Sequence, residues 1–247
     1  MKADSYAQAK LLELQSHDSM LAQLQHRKLN LAEHVAIAEL EARVKEVDGK
    51  RIEVDTEVSD LTREQKKADA EVELVKNRRT RDEERLNSGA VKNPKDLESL
   101  QHELVALERR IGTLEDAELE IMEKLEDAQS RLGAVEADLH SLKADLTEKI
   151  TARDAAIVVI DEQELATQAE RAATAGEVPD DLLALYDKVR AQYGGLGAAA
   201  LRARRCEGCR LEINGADLRE LAASPEDEVL RCPECSRILV RTPESGL

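Results

Sequence analysis

The four cysteines of the chain form two pairs near its C-terminal end. Cys206 and Cys209 make one C-x2-C pair, and Cys232 and Cys235 make the second after 22 intervening residues. Two such pairs place four thiolates on two tight turns, which is the ligand set of a closed tetrahedral zinc site. Four sulfur ligands leave no position for water or substrate, so the sequence predicts one structural Zn²⁺ rather than a catalytic metal.

Two other interpretations of the cysteines stay open, namely two disulfides or a rubredoxin-like iron site. Residues 1–20 carry scattered charges and lack the apolar core of a signal peptide, and the longest apolar run, 155–160, is far too short to span a membrane. We therefore expect a cytoplasmic protein without membrane contact, in which thiols stay reduced. This expectation disfavours disulfides, and the lack of aromatic residues in 203–247 disfavours the iron site.

Short β-prone segments flank both cysteine pairs, at 211–213, 229–231 and 238–241. Asn214 suggests the start of one helical turn between the pairs. So short a module has too small an apolar core to fold without its metal. The sequence therefore predicts a small C-terminal β zinc ribbon over 203–247.

The composition of the remaining chain is that of long helices. The 247 residues include 36 Lys+Arg against 52 Asp+Glu, a formal charge of -16, and three Tyr are the only aromatic residues. Large rings normally line small-molecule pockets, so we expect no small-molecule substrate. No arrangement of nucleophile, base and oxyanion donors is visible, and the chain is predicted not to be an enzyme.

Two heptad patterns run through the central part of the chain. The first is apolar at 10 of 14 positions: Leu40, Val44, Val47, Arg51, Val54, Val58, Leu61, Gln65, Ala68, Val72, Val75, Arg79, Asp82 and Leu86. The second is apolar at 14 of 16: Leu97, Leu100, Leu104, Leu107, Ile111, Leu114, Glu118, Ile121, Leu125, Ala128, Leu132, Val135, Leu139, Leu142, Leu146 and Lys149. We predict two long helices that pack along these seams.

The segment between the two seams predicts a turn at about 88–94. Gly89 suits the left-handed position after a helix, and Asn93 can cap a new helix that has Pro94 as its first residue. Helices joined by so short a loop lie antiparallel. The first helix is predicted over about 4–87, with a slip of the heptad register near Ile37.

The apolar run 155–160 is apolar on every side, so a two-helix seam cannot bury it. We expect a third element to pack there, a short helix that starts at Pro179 and ends at Gly194 and Gly195. The predicted fold is mainly α. It comprises an antiparallel coiled-coil hairpin over 1–178, a short helix and Gly-rich hinge over 179–202, and the zinc ribbon over 203–247.

Positive charge is concentrated around the predicted turn, in an otherwise acidic chain. The residues are Lys76, Arg78, Arg79, Arg81, Arg85, Lys92 and Lys95. One interpretation is a solvated helix surface, partly neutralised by Asp82 and its acidic neighbours. The other is a partner-binding site, which the position of Arg79 on the seam favours.

The chain resembles a bacterial family described as C4-type zinc ribbon domain-containing coiled-coil proteins. The resemblance rests on Ser88-Gly89, on residues 93–103 and 179–186, and on the C-x-G-C and C-P-x-C-x-R-I-L knuckles. It implies a long helical hairpin, a zinc ribbon and a binding role, with nucleic acid and with transcription or secretion partners. Ser236 replaces a common Gly and Val240 replaces a frequent aromatic residue, which weakens any expectation that the ribbon stacks on a ligand.

Two hypotheses for the function follow. The first is a non-enzymatic zinc-binding adaptor that contacts a protein partner, or RNA or DNA, through the hairpin tip and the ribbon. The alternative is a transcription regulator that inserts its hairpin into RNA polymerase. Residues 87–94 contain no acidic side chain to deliver Mg²⁺, which disfavours the alternative.

Overall fold

The computed structural model describes the whole chain, Met1–Leu247. In chain order, its elements are α1 (Ser5–Leu29), α2 (Ala32–Asn87), α3 (Pro94–Gly176), α4 (Asp180–Gln192), β1 (Ala198–Arg202), β2 (Arg205–Cys206), α5 (Gly215–Ala223), β3 (Leu230–Arg231) and β4 (Ile238–Val240). None of the helices combines the length and apolar content needed to cross a lipid bilayer.

The chain divides into two compact units. The hairpin unit is Ala36–Lys149, and the ribbon unit combines Met1–Val35 with Ile150–Leu247. This division differs from the predicted boundaries at 178 and 202, because the first helix and the end of α3 join the C-terminal elements in one unit.

The hairpin unit is built on the two predicted seams. Every seam position of both patterns is buried or half-buried, and most other positions of α2 and α3 are exposed. The coiled-coil prediction is confirmed. The part of α2 within this unit has a length of about 80 Å at the helical rise of about 1.5 Å per residue.

The turn of the hairpin lies where its capping residues predict. Gly89 has φ +66°, in the left-handed region, two residues after the end of α2. The Asn93 side chain accepts a hydrogen bond of 3.1 Å from the backbone N–H of Lys95 in the first turn of α3. These caps satisfy backbone groups that the helix ends leave free.

The first helix is not continuous, and the prediction of one helix over about 4–87 is wrong at Asn30 and Leu31. The Asn30 amide donates to the carbonyl of His26 (2.7 Å), and its backbone N–H donates to the same carbonyl (3.1 Å). A side chain that competes for these carbonyls ends α1. The break lies a few residues before the predicted register slip at Ile37.

The ribbon unit has an apolar core shared between helices and sheet. The side chains of Leu11, Leu14 and Leu182 are fully buried. They cluster with Val189 of α4 and with Ile238 of the sheet. The predicted short helix therefore exists as α4 and packs on α1.

The prediction that α4 covers residues 155–160 is wrong. Val158 is 56% exposed and Val159 is 50% exposed, although Ile160 is buried. The core cluster that contains α4 includes no residue of this run. An apolar surface of α3 is thus left facing solvent.

The four strands form one sheet in the order β2-β1-β4-β3. β1 pairs with β4 in parallel, with Ala198 opposite Ile238, and the other two pairs are antiparallel. The sequence predicts a hinge at this position and not a strand, because three alanines in a row carry little strand signal. Its parallel partner β4 lies almost 40 residues further along the chain, so only the folded structure shows this pairing.

A buried carboxylate joins three helices of the ribbon unit. The Asp18 side chain is 1% exposed and accepts hydrogen bonds from Arg171 Nε (2.7 Å) and from the Tyr186 hydroxyl (2.7 Å). Arg190 Nε lies 3.1 Å from the same carboxylate. Burial, together with the hydrogen bond to Asp18, raises the pKa of Tyr186, so the hydroxyl stays protonated as a donor.

Gln15 connects this group of helices to the start of the sheet. Its Oε1 accepts a hydrogen bond of 2.6 Å from the backbone N–H of Gly197, and its Nε2 donates to the carbonyl of Gly195 (3.0 Å). A Cβ at Gly197 would lie 2.9 Å from the ring of Tyr186, so only glycine allows this approach. The entry to β1 is therefore fixed against α1 and α4.

We expect Asp18→Ala to destabilise the ribbon unit by about 3–5 kcal/mol, because Arg171 and the Tyr186 hydroxyl then lose their buried acceptor. Tyrosine fluorescence during urea unfolding measures this effect, since all three tyrosines lie in the ribbon unit. The control is Asp227→Ala, which removes an exposed ion pair with Lys2 in the same unit and should cost less than about 1 kcal/mol. Equal losses in the two variants would contradict this role of Asp18.

Candidate functional site

The strands of the ribbon unit bring the two cysteine pairs close together. Cys206 ends β2 and Cys232 directly follows β3. Each pair lies on a tight turn, in which the N–H of Arg210 donates to the carbonyl of Cys206 (2.7 Å) and the N–H of Ser236 to that of Cys232 (2.9 Å). The fold thus places both turns at one end of the sheet.

The four sulfur atoms are arranged as the ligands of one metal ion. All of them lie within 4.8 Å of one another, and the Cys206–Cys235 and Cys209–Cys232 sulfur pairs are both 3.9 Å apart. A tetrahedral site with Zn–S bonds of about 2.3 Å has sulfur atoms about 3.8 Å apart. Disulfides need about 2.05 Å, so these sulfurs are too far apart for them. The prediction of one structural zinc is confirmed.

The burial of the cysteine side chains affects whether their thiols are charged. Burial raises the pKa of the Cys206 and Cys232 thiols, which keeps them protonated when no metal is present. At Cys235 burial acts in the same direction, but hydrogen bonds from the backbone and side chain of Arg237 leave its pKa below the usual value. A divalent cation deprotonates such thiols and bonds to the thiolates.

Both knuckles end in a residue with left-handed backbone. Arg210 has φ +61° and Ser236 has φ +59°. The left-handed region is disfavoured for residues with a Cβ, by roughly 1–2 kcal/mol. A glycine at position 236, as the family resemblance leads us to expect, would adopt this conformation without strain, and Ser236 leaves the metal site intact.

The first knuckle packs closely against the segment that precedes β1. A Cβ at Gly208 would lie 3.0 Å from the Cβ of Ala199 and 3.1 Å from side-chain atoms of Leu196 and Arg237. Arg237 itself donates to the carbonyl of Leu196 (3.1 Å). A side chain at position 208 would therefore push these neighbours by a few tenths of an ångström, and the glycine of the C-x-G-C knuckle avoids this crowding.

The structure separates the seven predicted partner-binding cations into two groups. Three of them form ion pairs with glutamates of α3: Lys76 with Glu115 (2.7 Å), Arg79 with Glu108 (2.7 Å) and Arg78 with Glu103. These pairs connect the two helices of the hairpin. The seam position of Arg79, which the sequence analysis associated with binding, is accounted for by its pair with Glu108.

The second group is Arg81, Arg85, Lys92 and Lys95, which we call the tip cations. All four are exposed, and none of them forms an ion pair in the structure. Arg81 donates to the carbonyl of Asn77 one helical turn earlier (3.2 Å). Positive charge is therefore available to a ligand at the end of the hairpin.

Sequence reasoning missed the ion pairs across the hairpin. The glutamates of these pairs, Glu103, Glu108 and Glu115, lie on α3 outside the heptad positions. A long cationic side chain can reach glutamates at several positions of the opposite helix, so the heptad pattern does not identify its partner. Aligning the charged residues of α2 with those of α3 in antiparallel order would have predicted these ion pairs.

Comparisons with known proteins agree with this architecture. A family model described as the CT398-like coiled coil hairpin domain matches residues 14–194, and one described as the C4-type zinc ribbon domain matches residues 205–239. An uncharacterized protein of Mycobacterium tuberculosis is 36% identical over 98% of both chains.

Two solved structures are similar over nearly the whole chain. A structure from Mycobacterium smegmatis has a TM-score of 0.86 at 36% identity and covers 98% of this chain and 100% of its own. CT398 from Chlamydia trachomatis has a TM-score of 0.66 at 19% identity, with 96% of this chain and 98% of its own covered. The second likeness concerns the fold alone.

We expect Cys232→Ser to abolish zinc binding and to unfold the ribbon, because three sulfurs no longer close the site. Native mass spectrometry should show one zinc per chain in the parent protein and none in the variant. Hydrogen exchange should accelerate over 198–240, while the far-ultraviolet helical signal is retained because the hairpin unit has its own seam. Retention of zinc at full occupancy would contradict this prediction.

Ser236→Gly should stabilise the ribbon by about 0.5 kcal/mol, since it removes the left-handed strain and keeps all four sulfurs. The measurement is the rate of zinc transfer to a coloured chelator, which should fall. The matched control is Ser141→Gly, an exposed position within α3, where glycine should cost about 1 kcal/mol in helix stability and leave zinc transfer unchanged. Faster zinc loss in Ser236→Gly would refute the strain argument.

Proposed function

Because the chain belongs to the CT398-like coiled-coil hairpin family and ends in a C4-type zinc ribbon, we propose that it is a non-enzymatic adaptor. In this proposal the hairpin tip and the zinc ribbon bind separate partners. Coiled coils and zinc ribbons are interaction modules, and the closed set of four sulfurs leaves the metal no open coordination position for a substrate. The zinc then serves to hold the ribbon surface in shape.

The observation that carries the proposal is the separation of the cations at the tip. Lys76, Arg78 and Arg79 are used within the hairpin, whereas the four tip cations face solvent. The intervening residues 88–93 contain no acidic side chain. A partner that approaches the end of the hairpin therefore meets four cations without ion pairs, interspersed with the exposed carboxylates Glu83, Glu84 and Asp96.

The charge of the chain favours a protein with an acidic surface as the partner of the tip. The whole chain carries -16, which repels the phosphate backbone of extended nucleic acids. The ribbon residues 203–247 hold seven arginines against nine acidic residues, so the ribbon adds no net positive charge. Four cations suffice for a local contact with carboxylates.

Insertion into RNA polymerase receives no support from the tip. Delivery of Mg²⁺ needs carboxylates at the end of the hairpin, and the turn offers Lys92 instead. RNA or DNA binding through the phosphates remains the other outcome of the experiment below.

The test is a charge reversal of the tip cations, Arg81→Glu, Arg85→Glu, Lys92→Glu and Lys95→Glu together. The matched control reverses four exposed cations away from the tip, Arg43, Lys45, Lys66 and Lys67, none of which forms an ion pair. Quantitative affinity capture from cell extract compares both variants with the parent protein. We expect the tip variant to lose a partner at least about tenfold, equivalent to about 1.4 kcal/mol, and the control to retain it.

A second measurement identifies the class of the partner. Fluorescence anisotropy with labelled RNA and DNA should show no binding that depends on the tip cations. Tip-dependent binding that weakens steeply with salt would instead make nucleic acid the partner. An identical partner list for parent, tip variant and control would reject the tip as a binding site.

A further inference from the structure

The end of α3 that belongs to the ribbon unit has a mixed inward face. Half of its buried or half-buried positions are polar, namely Arg153, Glu164, Thr167, Arg171 and Thr174, and the other half are apolar, namely Ile150, Ala156, Ile157, Ile160 and Ala175. In the hairpin unit, by contrast, the inward positions of α3 are apolar almost throughout.

A second heptad pattern lies on the outward face of the same stretch. It consists of Ala155, Val158, Glu162, Leu165, Ala169 and Ala172, which we call the outer stripe. Five of its six positions are apolar, and all six are exposed. Val158 is 56% exposed and Leu165 is 70% exposed. A helix with an apolar heptad seam on its solvent side normally has a second helix packed there.

No element of the chain covers the outer stripe. α4 was the candidate, but its buried residues Leu182, Tyr186 and Val189 pack in the core with α1 and the sheet. The outer stripe extends over about 26 Å at the helical rise, which is the length of a partner helix of about five turns. Its alanines allow the backbone of such a helix to approach closely.

The charges beside the outer stripe indicate the chemistry of the partner. Asp154, Asp161 and Glu170 have side chains 58%, 49% and 67% exposed. The two arginines of this stretch are turned inward, with side chains 28% and 25% exposed. Each of these carboxylates has a basic neighbour: Asp154 pairs with Arg153, Asp161 with Lys28, and Glu170 lies 3.6 Å from His17. Glu162 of the outer stripe itself is exposed and forms no ion pair, so the acidic groups on this stretch still outnumber the cations beside them.

Acidic edges disfavour a second copy of this chain as the occupant. A two-fold contact between two outer stripes would bring like charges together, and each copy carries -16. A helix with lysines and arginines beside its apolar residues is complementary to these edges.

We propose that the outer stripe is a docking surface for a basic amphipathic helix of a partner protein. Aliphatic residues of that helix, in heptad spacing, lie on Val158 and Leu165, and its flanking cations meet the acidic edges. This is the helix-to-face mode of recognition, in which apolar anchors supply affinity and charges select the partner. The surface is separate from the tip cations and the zinc ribbon, so the inference stands independently of the function proposed above.

The test uses the full-length, zinc-loaded chain and a labelled synthetic peptide of three heptads, with Leu at the seam positions and Lys beside them. A counter-peptide carries Glu in place of each Lys. The variant Val158→Glu with Leu165→Glu is compared with Leu74→Glu with Val105→Glu, which changes charge equally at exposed apolar residues of the hairpin unit, 69% and 52% exposed. Fluorescence anisotropy at about 0.15 M salt measures binding, where interactions between distant surface charges are largely screened.

We expect the outer-stripe variant to raise the Kd for the basic peptide at least about tenfold. The control variant should keep the parent Kd within about twofold, and the acidic peptide should not bind the parent. Circular dichroism checks that both variants stay helical, and Val158→Gln with Leu165→Gln repeats the test if the glutamates disturb the fold.

Equal binding by the two variants would overturn the proposal, because the peptide would then follow the overall negative charge. Binding of the acidic peptide as tightly as the basic one would overturn the charge argument. Sedimentation of the parent as a dimer that Val158→Glu with Leu165→Glu dissociates would assign the outer stripe to a second copy and likewise refute it.

Discussion

The ribbon unit depends on the compensation of one buried charge. Asp18 is almost fully removed from solvent, and a carboxylate in such surroundings is tolerated only with hydrogen bonds and cations close by. Its partners come from α3 and α4, so the carboxylate brings three helices to one point. One turn earlier, Gln15 binds the backbone at Gly197 and fixes where β1 begins. The sheet that presents the cysteines therefore starts from a position that the helices determine.

The chain has only three aromatic residues, and its two units are stabilised by different interactions. The hairpin unit buries Leu, Val, Ile and Ala along a narrow seam and adds ion pairs between helices, as between Arg79 and Glu108. The ribbon unit buries most of the fully buried apolar side chains of the protein in two clusters, and it adds four metal ligands at one end of its sheet.

The end of α3 shows how burial and polarity can disagree within one helix. Its inward face carries Arg171, which binds the buried Asp18, while apolar residues such as Leu165 lie outside. An outward apolar seam is the physical basis for expecting a partner helix at this surface.

The sequence by itself determined the metal centre, the hairpin and its turn, since these depend on local patterns: C-x2-C pairs, heptad spacing, and the caps Gly89 and Asn93. It predicted neither the break at Asn30 nor the strand β1, and it did not separate Lys76, Arg78 and Arg79 from the tip cations. Only the tertiary structure showed that α4 packs on α1 instead of on Val158, and that Arg79 pairs across the hairpin. The reason is physical: these features depend on contacts between residues far apart in the chain, where several partners satisfy the same local pattern and the folded core selects among them.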